Sequence, residues 1–83
     1  MFKNRANERN NICGVAVARL RKAAVPKMSQ RALADALQLA GLDVDKNAVQ
    51  RIESGQRFVT DIELAALAQV LGVSPLRLLD YDK

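Results

Sequence analysis

Eighty-three residues suffice for one domain and leave little for a second. Apolar residues make up 49% of the chain, mostly Ala, Leu and Val, and aromatic residues only 4%; that balance suits closely packed helices better than a sandwich of strands. The net charge of +4 hides an asymmetry, because up to position 31 eight basic residues (Lys3, Arg5, Arg9, Arg19, Arg21, Lys22, Lys27, Arg31) oppose Glu8 alone, while beyond it the acids outnumber the bases. A basic region of this kind is the footprint of a polyanion binder, although basic surfaces without such a role are about as common.

Cys13 is the single cysteine, and histidine is absent. An intramolecular disulfide is therefore impossible, and a zinc site lacks its usual ligands. Cys13 is expected to act as a small buried apolar residue. The apolar runs are too short to span a bilayer, and the first residues lack the apolar stretch of a signal peptide. A cytoplasmic protein with no metal, no cofactor and no membrane association is the expectation.

Taken in order, residues 1–11 are polar and aperiodic and read as a mobile basic arm. Its Lys3, Arg5 and Arg9 either lie along a polyanion or belong to a solvated tail. From Ile12 the pattern turns helical: Cys13, Val17, Leu20 and Ala24 recur at spacings of four, three and four, widened by Ile12, Ala16 and Ala23. Pro26 ends this first helix by disfavouring helical backbone at Val25. Ser29 is placed to cap a second helix, from Gln30 to about Leu39, with Leu33, Ala34 and Leu37 inward and Gly41 at its end.

Asp45 caps a third helix over 46–54, closed by Gly55. Ala48, Val49 and Ile52 form its apolar side, and Lys46, Asn47, Gln50, Arg51 and Ser54 the other. At about two and a half turns it is too short to persist alone and must be held by packing. Thr60 and Glu63 predict a capping box ahead of a fourth helix over 61–71, which buries Leu64, Leu67, Ala68 and Leu71 and stops at Gly72. Ser74 and Pro75 open a short fifth helix with Leu76, Leu78 and Leu79. The ordered domain is expected over residues 12–80, with a tail at 81–83.

Read in order, Ser29-Gln30-Arg31-Ala32-Leu33-Ala34, then 47–55 (Asn-Ala-Val-Gln-Arg-Ile-Glu-Ser-Gly), then 64–74 (Leu-Ala-Ala-Leu-Ala-Gln-Val-Leu-Gly-Val-Ser) resemble the Xre/Cro-type, lambda-repressor-like helix-turn-helix family. Any one piece is common by chance; the series is specific. The resemblance covers roughly residues 14–79 and implies an all-α, compact five-helix domain. It also implies that the second and third helices form the DNA-binding motif, the third entering the major groove by its N-terminal end. Lys46, Asn47, Gln50 and Arg51 then become base-contacting candidates, since Lys and Arg suit guanine and Asn suits adenine. Gln50 lies toward the flank. Without the resemblance, the same residues read as the solvated face of an amphipathic helix.

Family-like placement also puts Lys27, Ser29, Gln30 and Arg31 about the start of the second helix, and Gln56 and Arg57 after the third, as phosphate-contacting candidates. Glu53 would repel phosphates unless paired. The resemblance implies a structural pair with Arg21, or with Arg19 as the alternative. The chain departs from the family pattern between Leu33 and Lys46, which is longer by several residues with its glycine late, and in a lengthened link around Pro26. The second helix must extend further or the turn must be wider.

The function implied is sequence-specific binding of double-stranded DNA by a transcriptional regulator, a repressor sooner than an activator, acting as a homodimer on a palindromic site. The C-terminal leucines and Tyr81 either form that dimer surface or complete the monomer core. The competing reading is a protein-interaction module, such as an antitoxin on the same fold, which an exposed apolar patch would favour. An enzyme is not expected: nucleophile and base patterns are missing, and Asp45, close to Asp43, is better used as a cap. No small-molecule site is evident.

Overall fold

Helix ends in this chain fall where side chains supply what the backbone lacks. In a computed structural model, which describes residues 8–80, the order is α1 (Cys13–Ala23), α2 (Gln30–Leu39), α3 (Lys46–Ser54), α4 (Asp61–Leu71) and α5 (Pro75–Leu78). The helix N–H groups that find no partner within the first turn meet the caps. The Ala32 N–H donates to Ser29 Oγ at 3.0 Å, and the Ala48 N–H to Asp45 Oδ1 at 2.8 Å. The capping box forms at α4: the Glu63 N–H donates to Thr60 Oγ1, and the Thr60 N–H to Glu63 Oε1. α5 has no side-chain cap and opens on Pro75. No β-strand occurs among the described residues.

The core is aliphatic and takes side chains from every helix: Val17 from α1, Leu33 and Leu37 from α2, Val49 and Ile52 from α3, Leu67 from α4 and Leu78 from α5 are all fully buried. α3 packs against α1 and α2, while α4 packs against α1, α2 and α5, and α5 also against α1. This position leaves α3 at the margin of the bundle with one face uncovered. The leucines expected to act together in α5 divide. Leu78 is core, but Leu76 is 78% and Leu79 42% exposed, because a single helical turn can aim only one side inward. Leu64 and Leu71 of α4 are half-buried rather than central. Tyr81 lies outside the described residues.

The long segment between α2 and α3 is a wide connector, residues 40–45, rather than a much longer α2. Val44 plugs into the core at 3% exposure, the Leu42 N–H donates to the Leu37 carbonyl, and Gln38 Nε2 donates to the Val44 carbonyl at 2.7 Å. These anchors define where α3 begins.

Cys13 is buried, and its burial pushes the thiol up to about 11. An unfolded thiol ionises near 9, so the neutral buried form stabilises fully below that pH. Its contribution is lost as pH rises from about 9 through about 11. The unfolding free energy from urea titrations should therefore fall across that window by about 3 kcal/mol, and the fall should be smaller in Cys13→Ala. Equal pH dependence in the two proteins would show that the thiol is not the group responsible.

Candidate nucleic-acid interface

The exposed side of α3 is chemically uniform. Lys46, Asn47, Gln50, Arg51 and Ser54 are all exposed, while Ala48, Val49 and Ile52 are buried beneath them. At 100° per residue the exposed set covers an arc of roughly 140°, carrying cationic, amide and hydroxyl groups and no carboxylate. Each of these can address a base edge or a phosphate. Gly55 ends the helix in the left-handed region at φ +83, which favours glycine, and the Gln56 N–H closes back onto the Arg51 carbonyl at 2.9 Å.

The acid of this helix is turned inward. Arg21 on α1 grips Glu53 with both carboxylate oxygens engaged, Nε to Oε2 at 2.6 Å and Nη2 to Oε1 at 3.0 Å. The side chains are only 9% and 8% exposed. Arg21 also donates through Nη1 to the Met28 carbonyl at 3.0 Å, and Gln30 Nε2 donates to Glu53 Oε1 at 3.0 Å. The Glu53 carboxylate thus fastens α1 and α2 to α3, and Arg21 ties in the segment before α2. The hydrogen bond to Glu53 raises the Arg21 pKa further, against the opposing effect of burial, so the guanidinium stays charged. Arg19, the alternative partner, is exposed.

Around α3, Lys27, Ser29 and Arg31 are exposed at the start of α2, and Gln56 is exposed after α3. Two of the expected phosphate-contacting residues have partners within the protein. Gln30 is half-buried with its amide committed to Glu53. Arg57 is ion-paired with Glu63 at 2.9 Å, which offsets its charge. The end of the expected arm also has partners within the protein. Arg9, Asn10 and Asn11 are not free: Asn11 is buried, and Arg9 Nη2 donates to the Glu53 carbonyl at 2.8 Å. Backbone carbonyls at a helix end attract such donors, but nothing in a polar, aperiodic run shows which carbonyls lie nearby. The remainder of the arm expectation, with Lys3 and Arg5, lies outside the described residues.

A groove of about 340 Å³ runs between α2 and the start of α3, lined by Arg31, Ala34, Asp35, Gln38, Asp45 and Lys46. Sequence reasoning passed over Asp35 and Gln38. Their spacing of four and seven from Arg31 places all three on one edge of α2, which is the signal that identifies them.

A family model described as a helix-turn-helix domain matches residues 13–79, which takes in all five helices up to Leu79. The chain belongs to this family, in keeping with its Xre/Cro-like sequence. No curated protein and no solved structure matches it. The resemblance to Xre/Cro-type proteins makes α2, the connector and α3 the motif, and DNA is the partner the helix-turn-helix family implies. The Arg21–Glu53–Gln30 bracket joins the two motif helices to α1. No helix among the described residues is long and apolar enough to cross a membrane.

Proposed function

We propose that this helix-turn-helix protein is a transcriptional regulator that binds double-stranded DNA sequence-specifically, with α3 in the major groove. The observation that carries this reading is the exposed, carboxylate-free edge of α3, left open by the bundle while Glu53 is withdrawn to Arg21. Asn47 and Arg51 are the principal base-reading side chains, with Lys46 and Gln50 beside them. Lys27, Ser29, Arg31 and Gln56 take phosphates, and Gln30 and Arg57 support the frame from within. Repression is the simplest outcome, since occupancy of a site is enough to block another protein there.

Selection of bound duplexes from a random DNA pool tests the proposal directly. A palindromic consensus is the expected result, and recovery of no preferred sequence would overturn it. With the selected duplex, Arg51→Ala should lose about 1–3 kcal/mol and relax preference at one base pair. Arg31→Ala should weaken binding to all duplexes about equally. Uniform losses in both variants would remove the distinction between reading and positioning contacts.

Exposed apolar side chains favour a protein contact as well. Ile62 is 73% exposed, and Leu79 edges an open groove of about 280 Å³ that also includes Ile12, Val59 and Leu64. A second copy of the chain is the partner that fits a palindromic site. An antitoxin-like module is the other reading. Affinity for DNA that falls steeply with salt supports the regulator, and a flat response points to a protein partner as the main target.

A further inference from the structure

The segment preceding α1 is tied to the far end of α3. A helix leaves its last carbonyls without intrahelical partners, and here the donors come from residues 9–11. The Asn10 N–H donates to the Gly55 carbonyl at 2.8 Å and Asn10 Nδ2 to the Gln56 carbonyl at 2.9 Å. Asn11 Nδ2 donates to the Ile52 carbonyl at 3.0 Å and the Arg57 carbonyl at 2.6 Å, and Arg9 Nη2 reaches the Glu53 carbonyl at 2.8 Å. Between positions 52 and 57, only the Ser54 carbonyl is not addressed by this strap. Asn11 also accepts the Gly14 N–H on Oδ1 at 2.9 Å, so one side chain starts α1 and finishes α3.

Two glycines make room for the arrangement. A Cβ at Gly55 would lie 2.8 Å from Arg9 Cζ and Nε. One at Gly14 would meet Arg9 Nη2 at 2.7 Å and Asn11 Oδ1 at 2.9 Å. The Arg9 guanidinium sits at the C-terminal, negative end of the α3 dipole, where a cation is favoured. Residues 9–11 precede the stretch matched by the family.

The geometry points to Arg9, Asn10 and Asn11 as positioning residues for DNA binding. They hold the last turn of α3 and the loop 55–57 in register, so that residues ahead of the matched domain set DNA affinity without contacting DNA. This inference rests on the reading of α3 as the DNA-reading helix. Asn10 is the informative position, because its side chain bonds only the exposed loop and contributes nothing to the core.

The full chain carrying Asn10→Ala is compared with wild type on the duplex selected from the random pool and on a mixed-sequence duplex. Measurements are made at a temperature where circular dichroism shows both proteins folded. Affinity for both duplexes should fall about fivefold, with the salt slope unchanged, because the loop's phosphate contact, Gln56, is neutral and releases no counterion. A purely structural role would leave affinity unchanged in folded protein. In a Gln56→Ala background the Asn10→Ala loss should vanish, since the strap acts through that loop. Arg9→Lys, which keeps the charge but loses the Nε bond to the Asn11 carbonyl, should weaken binding similarly. Wild-type affinity in Asn10→Ala, or additive losses in the double variant, would overturn the strap. A wild-type protein that binds neither duplex would overturn the reading of α3 itself, and the strap with it.

Discussion

Glu53→Ala is expected to cost about 3–5 kcal/mol of stability, a large share of a margin of about 5–15 kcal/mol. The reason lies in what is left behind. Arg21 is 7% exposed, and without Glu53 its guanidinium keeps only the Met28 carbonyl as a partner inside the protein. Gln30 loses its acceptor at the same time. A pair of exposed side chains would be worth less than about 1 kcal/mol, because water replaces the lost partner; here water is largely excluded. For a domain of this size the thermal midpoint should drop by roughly 20 °C. Arg21→Ala should be less damaging, since the carboxylate retains the Gln30 amide. Replacing both members by apolar residues of similar volume should recover much of the loss, because two desolvated charges disappear together. A Glu53→Ala midpoint within a few degrees of wild type would mean that the bracket is dispensable to the fold.

Gly14→Ala is expected to destabilise by about 3 kcal/mol, the upper part of the usual overpacking range. A methyl group here would overlap the Ile52 carbonyl oxygen, which belongs to the backbone of α3 and cannot swing aside. α1 and α3 would have to separate, loosening both the Asn11 bridge and the Arg21–Glu53 pair. Alanine normally favours a helix over glycine by about 1 kcal/mol, so the sign of the change is a direct test of the close approach. Chemical denaturation of the two proteins reads it. A more stable Gly14→Ala variant would mean that the helices stand further apart than the structure places them.

Much of the architecture was legible in the residues because it rests on local rules. Ser29, Asp45 and the Thr60–Glu63 pair announce helix starts through hydrogen bonds made within three residues, and these bonds are present. The apolar face of α3 was equally readable, since Ala48, Val49 and Ile52 repeat at helical spacing. Leu76 and Leu79 were not, because periodicity cannot tell which side of a single turn meets a neighbour. Gln30 and Arg57 look like any surface polar residues until the fold brings Glu53 and Glu63 within reach.

Residue order alone determined the helical periods, their caps and stops, and the polar edge that α3 offers, because these depend on neighbours a few positions apart. Tertiary structure decided which polar groups face outward and which are consumed within the protein. Arg9 meets the Glu53 carbonyl across 44 positions, and Arg21 meets the Glu53 carboxylate across 32. A contact between residues so far apart in the chain exists only once packing has set the distance between helices, and no local pattern encodes that distance.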